Sequence, residues 1–128
     1  MSIRSSRVAV AAALLFLLAA TACVPEAQLP ADCDAAAVQR QATLAGDRLD
    51  PPSIDVCRGQ QVALDVAAEQ DGDLHLHGYD EEAPETEVHA GGTVHFAFTA
   101  VRSGQFIIEL HMPDGAEVEV GILTVHEP

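Results

Sequence analysis

The sequence predicts an all-β fold, an antiparallel sandwich or barrel, from three observations. From Ile54 onward, apolar and polar residues alternate with period two in one short run after another, as in strands with one buried face. The runs are punctuated by turns at Arg58-Gly59, Asp71-Gly72, Gly91-Gly92, Ser103-Gly104 and Pro113-Asp114-Gly115, a spacing that suits two packed sheets or a closed barrel. No internal repeat, glycine-rich phosphate loop or paired Cys-x-x-Cys interrupts this rhythm.

Taken in order, the first stretch of interest is Val24 to Asp32. With Pro25 and Pro30 it has the composition of a tether, and little structure is expected there. Asp34 is a plausible helix cap before Ala35-Ala36-Ala37, and Gly46 a plausible stop. Yet Val38, Ala42 and Leu44 also alternate with Gln39, Gln41 and Thr43, so a helix and a strand both fit this segment. Beyond Pro51-Pro52 the reading is clearer. Ile54 and Val56 form one run; Val62, Leu64 and Val66 a second; Leu74 to His77 a third; Val94, Phe96 and Phe98 a fourth; Phe106, Ile108 and Leu110 a fifth; and Val118 to Val125 closes the chain. Glu81 to Glu87 reads as a polar connection carrying Pro84.

Residues 1–22 read as a signal peptide. Arg4 and Arg7 precede an apolar run from Val8 to Ala20 that is short for a membrane span, and Thr21-Ala22-Cys23 ends it with small residues. The ending resembles the lipobox of bacterial lipoproteins, although Ala20 stands where that motif usually has Leu, Val or Ile. The resemblance implies lipidation at Cys23, a tether over residues 23–37, and a location on the extracytoplasmic face of the bacterial cell membrane. Cysteine parity agrees: three cysteines in an exported chain leave one over. With Cys23 lipidated, Cys33 and Cys57 are expected to pair in an oxidising compartment. The loop they close is worth about 3.5 kcal/mol in the chain-entropy picture.

Six arginines and no lysine face twenty carboxylates, for a formal net charge of −14, and loss of Arg4 and Arg7 with the leader makes it more negative. Such a surface repels phosphate and gathers cations, so no nucleic-acid partner is expected. Loose cation binding comes from charge alone, and a metal site must therefore be argued from specific ligands.

The richest stretch is Leu74-His75-Leu76-His77-Gly78-Tyr79-Asp80. Residues two apart on a strand project from one face, so His75 and His77 can both reach one metal ion. The same alternation also describes a half-buried strand with a wet polar face. Together with the other runs, it makes residues 38–128 resemble the cupredoxin family, the small copper-binding Greek-key β-sandwiches. The matching pieces are Ile54 to Val66 with its glycine, the Ala90 to Val94 turn, the Gly104 to His111 strand and Val120 to Val125. The His75 to Asp80 run and the Glu109-Leu110-His111 ending are similar to those of exported bacterial cupredoxin-like domains. The resemblance implies an opening strand from Val38, with a turn at Gly46-Asp47, and a metal-binding loop pole where His75, His77 and His111 meet. Asp80, Glu109 or water would be a further ligand, and Met112 a possible soft one. The family's blue-copper cysteine would fall near Leu110 and its methionine near Glu119, and this chain has neither. Without thiolate, electron transfer of the blue-copper kind is not implied; imidazole and carboxylate suit Cu(II) or Zn(II).

The remaining candidates are weaker. His89 and His95 read as exposed edge residues, His126 as part of the tail, and Tyr79 as packing at a sandwich end against a carboxylate. Glu81 and Glu82 are adjacent in a solvated loop, with no burial to separate their pKa values, so no hydrolase is expected. The expectation is a non-enzymatic, membrane-tethered protein that holds or hands on copper, or zinc. The alternative is a metal-free module docking another envelope protein through its acidic loops. Metal content separates the two.

Overall fold

The computed structural model describes residues 28–128. The expected signal peptide, Cys23 and the start of the tether lie outside the described residues. Nine strands run in order: β1 (Ala37–Ala45), β2 (Arg48–Asp50), β3 (Ser53–Cys57), β4 (Gln61–Ala68), β5 (Gly72–Leu76), β6 (Thr86–Val88), β7 (Thr93–Thr99), β8 (Gly104–His111) and β9 (Glu117–His126). They make a four-stranded sheet, β2-β1-β4-β7, and a five-stranded sheet, β3-β9-β8-β5-β6. The all-β sandwich is as expected. β1–β4 and β3–β9 run parallel and the other ladders antiparallel. Consecutive strands can close an antiparallel pair with a tight turn, whereas β3 and β9 meet only because the chain returns across the whole sheet.

Alternation sets the core. Val62, Leu64 and Val66 of β4, Val94, Phe96 and Phe98 of β7, and Leu74, Leu76, Ile108 and Leu110 of β5 and β8 all point between the sheets. Each such side chain contributes roughly 1.5–3 kcal/mol of burial. β2 and β6 leave no run in the sequence: each has three residues, too few to show a period. No helix forms at Ala35 to Ala37. Ala31 to Asp34 make a turn instead, and β1 begins at Ala37.

Gln60 explains why. It is 1% exposed, its Nε2 donates to the carbonyls of Asp32 and Ala35 at 2.7 and 3.0 Å, and its Oε1 accepts from the Cys57 amide at 2.8 Å. These bonds occupy carbonyls that a helix would need. Arg40 grips both carboxylate oxygens of Asp32 at 2.8 and 2.9 Å, holding the Asp32 carboxyl below its usual range. The expected disulfide, Cys33–Cys57, fastens the same segment to β3.

One irregularity shapes the outer face of the five-stranded sheet. Between β8 and β9, Ile108 pairs with Gly121 but Glu109 pairs with Glu119, so Val120 is extra. This bulge turns Glu117 and Glu119 to the outer face of the sheet while Val120, Leu123 and Val125 stay inside. Gly121 is required beside it. A Cβ there would meet Leu49 Cδ1 at 2.8 Å and the Pro52 carbonyl at 3.0 Å.

Candidate metal centre

The histidines are placed by strand register. In the β5–β8 ladder, Asp73 faces His111, Leu74 faces Leu110 and His75 faces Glu109. The leucines fill the core, so Asp73, His75, Glu109 and His111 share the outer face. His77 continues the pattern one step past β5, its amide donating to the Ile107 carbonyl at 3.0 Å. Gly78 then turns the chain at φ +82°, and a Cβ there would strike the Phe106 ring at 2.7 Å. That turn lets Asp80 fold back onto His75.

These candidate ligands therefore lie on the open face of the five-stranded sheet and not at a loop pole. The end of β8 meets the start of β5, where Asp73 stands, and not its histidine-bearing end. His77 is four residues beyond Asp73, about 13 Å along the strand, so His77 and His111 flank the cluster from opposite sides. One ring nitrogen each from His75 and His77 and one oxygen of Glu109 lie within 4.8 Å of one another; so do atoms of His75, Glu85 and His111, and of Glu109, His111 and Glu117. Among the described residues, no such group contains both His77 and His111. The three expected histidines thus fall into overlapping groups of potential ligands, and Glu109 belongs to two of them.

The nitrogens themselves are distinguishable. His75 Nε2 lies 2.5 Å from Asp80 Oδ1, and this bond holds the Asp80 carboxyl below its usual range. With the proton on Nε2, the lone pair is on Nδ1, which is buried and has no hydrogen-bond partner. His77 Nε2 is likewise buried and unpartnered, its nearest carboxylate oxygen being Glu109 Oε1 at 3.5 Å, too long for a good hydrogen bond. The two rings are tilted, with centroids 4.1 Å apart. Two orphaned imidazole nitrogens beside one carboxylate fit a divalent ion that prefers nitrogen and oxygen donors.

His111 is different. Its Nε2 lies 2.7 Å from Glu109 Oε1 and its Nδ1 3.0 Å from Glu85 Oε1. The Glu109 bond, with the charge of Glu85 behind it, raises the His111 pKa above its ordinary value. The same bond, followed by the charge of His77, lowers that of Glu109.

The other candidate residues have separate roles. Asp80 is bonded to His75 and orients it. Met112, just past the end of β8, packs against the core. Leu110, where a thiolate would have been required, is fully buried. Tyr79 does close one end of the sandwich, against Phe98 and Phe106, but donates to the Arg102 carbonyl at 3.2 Å rather than to a carboxylate; burial raises its pKa. His95, largely exposed, bonds Asp65 at 2.7 Å and lowers its pKa. His126 ends β9 and bonds Asp55 at 2.7 Å. Glu85 and Glu117 had no signal in the sequence beyond being acidic.

No family model matches this chain, and no curated protein does. Solved structures do. A copper nitrite reductase from Nitrosomonas europaea aligns over 71% of this chain and 42% of its own, with 16% identity and a TM-score of 0.57. A blue copper oxidase from the same organism aligns over 71% and 39%, with 17% identity and a TM-score of 0.52. This chain thus spans about two fifths of those larger proteins. Auracyanin A, a blue copper protein from Chloroflexus aurantiacus, aligns over 70% of this chain and 99% of its own, with 17% identity and a TM-score of 0.56. Two facing sheets in this strand order, superposing on these proteins, give the chain the cupredoxin fold.

Proposed function

We propose that this protein binds copper through a centre without sulfur, made of His75, His77 and Glu109 on the outer face of the five-stranded sheet, and holds it for storage or delivery. The observation that carries the reading is the pair of buried, unpartnered nitrogens, His75 Nδ1 and His77 Nε2, on two residues that form a triplet of potential ligands with Glu109. Asp80 fixes the His75 ring and its tautomer, as a carboxylate behind a metal-bound imidazole does. When bound, the metal supplies a Lewis-acidic, nitrogen- and oxygen-ligated centre. Copper is favoured over zinc because Cu(II) binds such donors more tightly than other first-row divalent ions, and the similar structures include copper proteins. In this reading Cys23 carries the lipid, and the domain works outside the bacterial membrane.

The test is a titration of the processed, untagged protein with Cu(II), Cu(I) and Zn(II) against a competing chelator. Specific binding lost in His77→Ala is expected. Binding unchanged in the triple His75→Ala, His77→Ala, His111→Ala variant would assign the metal to the acidic surface instead.

A further inference from the structure

We propose that β7 is a joint between two copies of this chain, each adding its β7 antiparallel to the other's, so that two four-stranded sheets become one of eight strands. The joint lies on the sheet that does not carry the metal face, and it is independent of the copper reading.

Main-chain geometry carries it. The order β2-β1-β4-β7 leaves β7 at an edge. Along an antiparallel strand successive residues direct their backbone groups to alternate sides. Just beyond the two ends of β7, the Gly92 carbonyl accepts from the Ala68 amide and the Ala100 amide donates to the Gln60 carbonyl, both at 2.9 Å. Val94, Phe96 and Phe98 therefore bond β4, and Thr93, His95, Ala97 and Thr99 turn their amides and carbonyls outward. The Thr99 carbonyl accepts from the Val101 amide at 2.8 Å; among the described residues, no loop or turn backbone group bonds Thr93, His95 or Ala97. The other edges are closed to pairing. β2 and β6 have three residues each. On β3 the outward groups are taken, the Asp55 carbonyl by Arg40 Nε and the Cys57 amide by Gln60 Oε1, both at 2.8 Å. β7 has seven residues and none of the lysine, proline or bulge that blunts an edge.

The strand is matched to itself. Thr-Val-His-Phe-Ala-Phe-Thr has the same pattern read in either direction, as a two-fold interface requires. An axis at Phe96 sets Thr93 opposite Thr99, Val94 opposite Phe98 and His95 opposite Ala97. Inward side chains then stay on the inner side of the continued sheet, and the amides and carbonyls of His95 and Ala97 exchange four bonds between the copies. Charge agrees. With twenty carboxylates and a net charge of −14, two copies repel wherever acid meets acid, and β7 has no carboxylate. The neighbouring Asp65 is held by its own His95 and Gln39. Glu82, near Thr99, falls at opposite ends of the joint in the two copies.

The experiment uses the chain without its leader and with Cys23→Ser, so that no lipid drives association, and with chelator, so that no metal bridges the copies. One strand pair is a small interface and gives a weak dimer, so sedimentation equilibrium must reach about 1 mM, the order of concentration that tethering supplies. Expected is a monomer–dimer equilibrium that salt strengthens by screening like charges. Exchange of the His95 and Ala97 amides should slow about tenfold or more from monomer to dimer, while those of Val94 and Phe96 are protected in both. Ala97→Pro removes an outward amide and no bond to β4; it should abolish the dimer and keep the β-type circular dichroism. Gln41→Lys, two strands in on the outer face, should leave the dimer intact. A monomer throughout the range overturns the proposal. So does a dimer indifferent to Ala97→Pro, or one lost in Gln41→Lys, which would show packing by sheet faces. Should Ala97→Pro not fold, exchange decides: His95 and Ala97 amides equally open in monomer and dimer overturn the joint, and amides already protected in the monomer overturn it in favour of a segment of the same chain.

Discussion

Asp80 Oδ1 lies 2.5 Å from His75 Nε2, and that contact leaves Nδ1 as the ring nitrogen without a partner. Asp80→Ala should therefore weaken metal binding without removing a ligand, by about tenfold, the lower end of the effect of losing a carboxylate behind a metal-bound histidine. Chelator competition measures it. Affinity equal to that of the unaltered protein would show that the ring is positioned by other means.

Copper-loaded protein should be pale. Neither Cys33 nor Cys57 is free, since each is bonded to the other, and Leu110 is buried in the core, so no thiolate among the described residues reaches the face. Paramagnetic resonance should show nitrogen and oxygen ligation, and His89→Ala should change affinity little. An intense thiolate-to-copper absorption band would contradict this assignment.

The Glu109–His111 pair should leave a pH signature in the metal-free protein. Glu109 has a lowered pKa, so its share of the stabilisation exists above the ordinary carboxyl value, near 4.5, and is lost as pH falls through the lowered one. His111 has a raised pKa, so its share is complete below the ordinary value, near 6.5, and is lost as pH rises through the raised one. The stability difference between the natural protein and His111→Gln should thus peak between about pH 4.5 and 6.5. Denaturant unfolding across pH, with chelator present, checks it; a flat difference would mean that the pair contributes nothing.

Replacing Cys33 and Cys57 together by alanine should cost about 2–4 kcal/mol, as removal of a loop-closing disulfide does. Denaturant unfolding measures the loss. Because Gln60 and Arg40 hold the same segment, the fold itself should survive, with unchanged β-type circular dichroism.

Much of the architecture was readable because alternating runs such as Val62-Leu64-Val66 report directly which face is buried. The strands that escaped, β2 and β6, are too short to alternate. Gln60, the polar residue that organises the turn before β1, looks like any other glutamine in the chain. At the metal face the sequence singled out His75, His77, His111 and Glu109, since histidines two apart on a strand must share a side. It could not show that Asp73, not a histidine, would stand opposite His111, because register is a property of two strands together. For the same reason Glu85 and Glu117 were invisible as members of the cluster.

In the proposed membrane-anchored protein, the Cys33–Cys57 bridge would also decide where the domain hangs. A pull on the chain before Cys33 would pass through the covalent sulfur bridge to the end of β3, with the Asp32–Arg40 ion pair as the noncovalent link to β1. β3 is the edge strand farthest from β5 and β6, and three strand spacings, about 14 Å, separate it from β5. The load is spread along the β3–β9 ladder from Ser53 to Cys57. Motion of such an anchor would therefore be absorbed at one margin of the sheet, three strands away from the histidine of β5.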